Sequence, residues 1–294
     1  MVAERTPASR FPSLSNWHTA APIILAGVAF VALFWQPFRT LAHDWWSDPE
    51  AGHGLLLAPL ALILAWRRGR APKAVGQPLL GAAIILGAVL LRYVSGLAAE
   101  LFTMRMSLLG AAAGLVVFVA GVRQLRHWWL PALLLLLSVP LPAVLLGSLA
   151  FPLQLRASQF GAALLQWRHV PVQVAGNVIH LPGQSLFVTE ACSGLRSLTA
   201  LLALGLLIGG LWLRSTWTRV FIMLSAIPVA MFLNGIRIFL TGFLVYFVDP
   251  RLADGVMHLS EGWMMFVVAF GMLGAVTWVT ARVEKLVTAP RAAA

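Results

Sequence analysis

The sequence predicts an all-α integral membrane protein with about eight transmembrane helices, an outer amphipathic helix and a small β-hairpin. Two observations lead to this prediction. Hydrophobic residues make up 60% of the 294 residues and charged residues only 11%, whereas soluble domains carry about 25% charged residues. The apolar residues also form long blocks separated by short charged segments, which is typical of membrane spans. A water-soluble globule is therefore excluded.

Hydropathy and charge breaks predict one domain over residues 1–294 with eight spans. The first span is expected to remain uncleaved, because it is long and bulky and has no small-residue cleavage site. The second is shorter than the roughly 20 residues that cross a bilayer. The predicted spans are residues 18–38, 53–66, 76–96, 104–122, 128–147, 196–213, 219–247 and 262–281.

Charge distribution predicts the topology. If the N-terminal tail, residues 1–17, is cytoplasmic and the spans alternate, most basic residues fall in inner segments, as the positive-inside rule requires. The C-terminal tail, residues 283–294, then also lies inside, and most acidic residues lie at or near the outer side. The net charge of +11 thus indicates membrane orientation, and nucleic-acid binding is not expected.

An outer insertion, residues 148–192, joins the fifth and sixth spans. Its first part, Ser148 to Trp167, mixes Gln, Arg and Ser with apolar residues and predicts an amphipathic helix at the interface. Its second part, Val170 to Val188, is rich in Val, Ile and Leu between turn residues and predicts a small β-hairpin. The hairpin leads to Cys192.

The first candidate site surrounds Cys192, the single cysteine of the chain. It precedes the sixth span, where the positive end of a helix dipole favours thiolate. Arg196 follows by one helical turn and adds positive potential, and Glu190 lies nearby. The alternative is a small buried apolar cysteine.

The second candidate is Arg237, deep within an apolar segment, with Asn234 on the same helix face. A charged residue within a span costs roughly 2.5–3.5 kcal/mol on insertion scales, which makes it a functional candidate. The alternative is a structural arginine that pairs with Glu190 or Glu261, or one that extends to the outer headgroups.

The third candidate is His258, just before the last span, with Glu261 three residues later and able to orient its ring. An imidazole titrates near neutral pH and suits proton transfer. The alternative is an interfacial histidine beside a tryptophan belt.

Together, cysteine, histidine and arginine form a working set for acyl transfer, as nucleophile, proton carrier and oxyanion stabiliser. The predicted topology brings all three toward the outer side. His43, Asp44 and His53 could imitate a metal site, but their spacing is not specific and no His-Glu-x-x-His motif is present. No metal or organic cofactor is implied.

These motifs resemble those of the exosortase and archaeosortase family. The resemblance rests on Glu190-Ala191-Cys192-Ser193-Gly194-Leu195-Arg196-Ser197, on Asn234-Gly235-Ile236-Arg237, on His258 and on Gly52-His53-Gly54-Leu55. Gly52 stands where the family is expected to have serine. The family assigns the nucleophile to Cys192, the arginine to Arg237 and the histidine to His258.

The resemblance implies a thiol protease or transpeptidase in the lipid bilayer of the bacterial inner membrane, with its active site toward the periplasm. Its partners would be exported proteins that carry a C-terminal sorting signal, namely a short motif such as Pro-Glu-Pro, a transmembrane helix and a basic cluster. After cleavage, the new C-terminus would pass to water or to a surface glycan or lipid.

Two other classes of protein fit parts of this pattern. A transporter or lipid-handling protein would also place Asn234 and Arg237 along a polar path, but it would not require Cys192. A structural subunit of an exopolysaccharide export complex would tolerate changes at all three candidate sites.

Overall fold

The computed structural model describes residues 17–48, 51–187, 195–249 and 256–288. Within these ranges the chain forms nine helices and one small antiparallel sheet of three strands. The elements are α1 (Trp17–Ser47), α2 (Gly54–Arg68), α3 (Pro78–Leu97), α4 (Leu101–His127), α5 (Trp129–Leu137), α6 (Ala143–Trp167), β1 (Gln173–Ala175), β2 (Val178–Leu181), β3 (Gln184–Phe187), α7 (Leu195–Trp212), α8 (Thr216–Phe247) and α9 (Val256–Thr288).

The all-α membrane class predicted from the sequence is confirmed. Five of the described helices contain a segment that is long and apolar enough to cross a bilayer, and α7 contributes a shorter apolar helix. Many large apolar side chains on these helices are exposed, as expected of surfaces that face lipid. The five segments are Ile24–Ser47, Pro78–Leu97, Leu101–His127, Thr216–Phe247 and Val267–Val287.

Small residues bring α3 and α4 close together as an antiparallel pair. A Cβ atom added to Gly81 would lie 2.4 Å from Cα of Phe118, and one added to Gly114 would lie 2.8 Å from Cγ1 of Ile85. Lipid offers no hydrophobic drive for helices to associate, so close backbone approach at glycine supplies much of the packing energy in a membrane.

The predicted fifth span, residues 128–147, is not one continuous helix. α5 has only nine residues and ends at Leu137, and α6 begins at Ala143. Pro140 and Pro142 lie between them, and proline both lacks an amide donor and disfavours helical geometry in the residue before it. One face of α5 is instead buried, since Leu130 and Leu134 pack with residues of α2 and α7.

Hydrogen bonds define the two ends of the helix bundle. At the end that we call the basic end, Arg68 of α2 donates from Nη1 to the carbonyl of His127 at the C-terminus of α4 (3.0 Å). At the opposite end, Trp45 donates from Nε1 to the carbonyl of Ser138 (2.7 Å), which joins α1 to the end of α5. The chain directions place the C-terminus of α8 and the N-termini of α7 and α9 at this opposite end.

The predicted hairpin is present and is extended by a third strand. β1 pairs with β2, with Val174 opposite Ile179, and β2 pairs with β3, with Ile179 opposite Leu186. The turns contain Gly176 and Gly183, both with positive φ, a conformation that costs glycine little. The sheet packs against α6 and α8 through one buried cluster that includes Ile179.

Candidate functional site

The arginine motif occupies a packed position in the second half of α8. Asn234 is buried, with 6% of its surface exposed, and Arg237 is half-buried with its Nε atom enclosed. Arg237 is ten residues from Phe247, where α8 ends, which corresponds to about 15 Å along the axis. The hydroxyl of Thr241 donates to the carbonyl of Arg237 (3.0 Å).

α6 packs directly against this motif. A Cβ atom added to Gly235 would lie 2.0 Å from Cδ1 of Phe160, and one added to Gly161 would lie 2.5 Å from Cγ2 of Ile238. The two helices therefore approach through reciprocal glycines, one on each side. This contact explains the glycine at position 235, because a larger residue there would push Phe160 and α6 away.

An amphipathic helix at the membrane surface would direct its polar side chains toward the headgroups and water. Two polar side chains of α6 are buried in the protein instead. Gln154 is 5% exposed and Ser158 is fully buried, and the hydroxyl of Ser158 donates to the carbonyl of Gln154 (2.8 Å). This helix is thus partly inserted into the bundle and forms one wall beside the α8 motif.

The sheet packs against the last part of α8, toward the end of the bundle opposite the basic end. A Cβ atom added to Gly242 would lie 2.8 Å from Cδ1 of Leu165 and 3.3 Å from Cδ1 of Leu186 in β3. Leu165 and Ile179 are fully buried in the same cluster as Val245 of α8. β3 ends at Phe187, so the sheet fixes the chain against α8 shortly before the cysteine motif.

The three helices that carry or adjoin the motifs share one apolar layer. Leu233 of α8 is buried in a cluster against which Leu198 of α7 and Met265 of α9 pack. Both motif residues lie from this layer toward the end of the bundle opposite the basic end. Arg237 follows Leu233 by four residues of α8, which is about 6 Å along the axis, and His258 precedes Met265 by seven residues of α9, which is about 10 Å.

The structure describes the predicted site residues to different extents. Asn234 and Arg237 are described with their side chains. For Arg196 in the first turn of α7, and for His258 and Glu261 in the first two turns of α9, the helical backbone is described and the side chains are not. Glu190 and Cys192 lie outside the described residues. The distances among Cys192, Arg237 and His258 therefore remain predictions.

Sequence reasoning missed a second arginine within an apolar segment, Arg105 in α4. It is 3% exposed and donates from Nη2 to Oδ2 of Asp44 in α1 (2.7 Å) and to the carbonyl of Thr40 (3.3 Å). Its Nε atom is buried without a hydrogen-bond partner among the described residues. The rule that selected Arg237, a charge within an apolar segment, applies equally to Arg105.

The early histidine motif anchors α2 at the opposite end. His53 contacts the carbonyl of Leu137 through Nε2 (3.1 Å), and a Cβ atom at Gly54 would lie 2.1 Å from Nε1 of Trp45. Among the described residues no three His, Cys, Asp or Glu side chains are grouped to hold a metal ion. Asp44 instead pairs with Arg105.

Comparison with known protein families gives a match. The family model described as Transmembrane exosortase matches residues 45–275, well over half of the chain. The matched segment contains Gly52-His53-Gly54, Cys192, Asn234-Gly235-Ile236-Arg237 and His258. No curated protein and no solved structure matches the chain significantly.

Proposed function

Since the chain belongs to the transmembrane exosortase family, we propose that it is a membrane cysteine peptidase or transpeptidase that cleaves C-terminal sorting signals from exported proteins. The observation that carries the proposal is the packing near Arg237. The helices α6, α7 and α9 and the sheet all pack against α8 close to this one intramembrane arginine. The family match over all three motifs supports the same conclusion.

The described residues on either side of the cysteine motif support its proximity to this arginine. Covalent geometry allows at most about 3.6 Å per residue, so Cα of Cys192 lies within about 11 Å of that of Leu195. The same limit gives about 18 Å from Phe187, the last residue of β3, and the preceding Leu186 lies close to Gly242 of α8. These limits on chain length are compatible with the proposed approach of the Cys192 thiol to Arg237.

In the proposed reaction, the thiolate of Cys192 attacks the carbonyl carbon of the substrate peptide bond and forms a tetrahedral intermediate. The guanidinium of Arg237 donates hydrogen bonds to the oxyanion. His258 holds the proton that the thiol has lost and transfers it to the leaving nitrogen as the carbon–nitrogen bond breaks. The thioester is then cleaved by water or by an acceptor nucleophile, which releases the thiolate.

Supporting roles follow from the positions of the remaining motif residues. Arg196 is four residues after Cys192 in the sequence and would stabilise the thiolate, or replace Arg237 at the oxyanion. Asn234 is buried beside Arg237 and would orient its guanidinium. Glu261 follows His258 by one turn and would orient the imidazole, and Glu190 would hold one of the arginines.

The membrane setting fits a helical substrate. A sorting signal with a transmembrane helix would enter sideways from lipid and present its short cleavage motif at the opposite end of the bundle. The basic end would then face the cytoplasm, as the positive-inside rule requires, and the active site would face the periplasm of a bacterial inner membrane.

The test is processing of a co-expressed substrate that carries a Pro-Glu-Pro-type C-terminal signal. Wild type should shorten the substrate, and Cys192→Ala should not. Arg237→Gln should also process the substrate poorly. Arg214→Gln is its matched control, because it removes the same charge from an exposed position at the basic end. Equal processing by wild type and Cys192→Ala would refute the thiol mechanism and favour a transporter built around Asn234 and Arg237.

A further inference from the structure

At the basic end, two arginines from different helices converge on one indole ring. Cζ of Arg219, in the first turn of α8, lies 4.9 Å from the ring centre of Trp129, and Cζ of Arg68, at the end of α2, lies 5.6 Å from it. Trp129 is the first residue of α5 and is half-buried. This cluster, Arg68, Trp129 and Arg219, is far from the α8 motif and has no part in the proposed chemistry.

Backbone carbonyl groups hold both guanidinium groups in place. Arg219 donates from Nε and Nη2 to the carbonyl of Leu213 (3.0 and 2.9 Å), and Arg68 donates from Nη1 to the carbonyl of His127 (3.0 Å). A guanidinium carries five N–H donors. Most donors of Arg68 and several of Arg219 therefore remain available for a ligand.

Carboxylates in the described part of the chain offset the charge of the cluster only in part. No carboxylate there forms an ion pair with Arg68 or Arg219. Glu284 acts on Arg219 only at longer range, because its carboxylate accepts hydrogen bonds from the amides of Arg214 and Ser215 (3.2 and 2.5 Å). Burial, and to a smaller extent the positive charge of Arg219, lowers the pKa of Arg68.

Exposed tryptophans indicate the depth of this cluster in the bilayer. Trp66 on α2 is 82% exposed, Trp212 at the end of α7 is 67% exposed and Trp217 at the start of α8 is 83% exposed. All three are at the basic end, within a few residues of the cluster or of its anchoring carbonyls. Tryptophan prefers the headgroup level of a membrane, so the cluster lies where lipid phosphates are found.

We propose that Arg68, Trp129 and Arg219 form a binding site for the phosphodiester group of an anionic phospholipid. The two guanidinium groups supply hydrogen bonds and positive charge to the phosphate oxygens, and the indole holds both arginines in place. Basic pockets between helices at the cytoplasmic side of a membrane are suited to such headgroups. A bound lipid would tie α2, α5 and α8 together and offset the repulsion between the two arginines.

The experiment measures lipid binding to the purified full-length chain in detergent micelles, by native mass spectrometry and by thermal unfolding. The probes are short-chain phosphatidylglycerol, short-chain phosphatidylcholine and inorganic phosphate at equal concentration. Phosphatidylglycerol should bind and raise the unfolding temperature of wild type, whereas phosphatidylcholine should not, because its choline cation cancels the charge of the same phosphodiester. Equal protection by inorganic phosphate would overturn the assignment to a lipid.

The variant Arg68→Gln with Arg219→Gln should bind phosphatidylglycerol about a hundredfold more weakly, since direct hydrogen bonds from each guanidinium to a charged phosphate contribute on the order of tenfold. Arg67→Gln with Arg214→Gln is the matched control, because it removes two exposed charges at the same end and should keep nearly full binding. Equal loss in both pairs would show general charge attraction and overturn the site.

A second pair of substitutions keeps the proposal testable if the glutamine variant misfolds. Arg68→Lys with Arg219→Lys keeps both charges but loses the planar donor geometry of guanidinium. It should bind phosphatidylglycerol more weakly than wild type and more tightly than the glutamine pair. Binding equal to wild type in both pairs would overturn the proposal.

Discussion

The substitution Gly235→Ala tests whether the contact between α6 and α8 positions Arg237. The added Cβ atom would lie 2.0 Å from Cδ1 of Phe160, whereas ordinary contact begins at 3.4 Å, so the ring or its helix must retreat by about 1.4 Å. Overpacking of this kind costs about 1–3 kcal/mol. A displacement of about 1 Å near a reacting group reduces turnover about a hundredfold.

The assay combines thermal unfolding of the purified chain with substrate processing. Gly235→Ala should lower the unfolding temperature by about 2–4 °C for each kcal/mol lost and slow processing strongly. Gly271→Ala in α9 is the matched control, because nothing lies within 4 Å of its added Cβ. It should leave processing unchanged and leave stability equal or raised by up to about 1 kcal/mol.

A double variant shows whether steric contact is the cause. If Phe160 is the obstacle, Gly235→Ala should cost clearly less in a Phe160→Ala background than in wild type, a coupling that a double-mutant cycle measures. The same cost in both backgrounds, or wild-type stability and processing in Gly235→Ala alone, would refute the proposed role of this contact.

Three further predictions follow from individual side chains. Arg237→Gln should lower kcat by about 10²–10³, with Arg237→Lys intermediate; an unchanged kcat in steady-state processing would remove Arg237 from the chemistry. Arg105→Met should destabilise the chain by about 3 kcal/mol, since it leaves the Asp44 carboxylate without its partner, and adding Asp44→Asn should recover part of the loss in thermal unfolding; purely additive effects would contradict this. Hydrogen bonds from Thr103 and Phe102 hold the pKa of Glu100 below its usual 4.5, so its helix-capping contribution is present above pH 4.5 and lost as the pH falls through the folded-state pKa. Glu100→Ala should therefore be less stable than wild type at neutral pH by about 1 kcal/mol, and the difference in unfolding temperature should shrink at lower pH; a constant difference would contradict it.

The fold class and most helix positions could be predicted because they depend on local properties of the sequence. Apolar segments that match the bilayer thickness predict spans wherever they occur. The predicted span over residues 128–147 was interrupted for an equally local reason, since Pro140 and Pro142 separate α5 from α6. The two prolines are visible in the sequence, but the average hydropathy of the long apolar segment around them stays high and does not reveal a break in the helix.

Contacts between distant residues could not be predicted in the same way. Gly235 and Phe160 are far apart in sequence, and nothing local to either residue indicates that they meet. The pair of Arg105 with Asp44 joins two helices across 61 positions. The sequence shows that a buried arginine needs a partner, but only the packing of α1 against α4 determines which carboxylate it is.

The candidate site was predictable as a set of residue types and not as a geometry. Asn234 and Arg237 follow from their charge and polarity within an apolar helix, and the structure shows them packed beside α6. The positions of the Cys192 and His258 side chains relative to Arg237 remain predictions, and so does the reaction that the three would perform.

Alkylation of Cys192 tests the central claim most directly. The chain contains one cysteine, so N-ethylmaleimide modifies the thiol of Cys192 alone and needs no substitution. Processing by the purified protein should fall in proportion to the fraction of Cys192 alkylated, as measured by intact mass, and bound substrate should slow the modification. Full processing by protein in which Cys192 is completely alkylated would contradict the thiol mechanism.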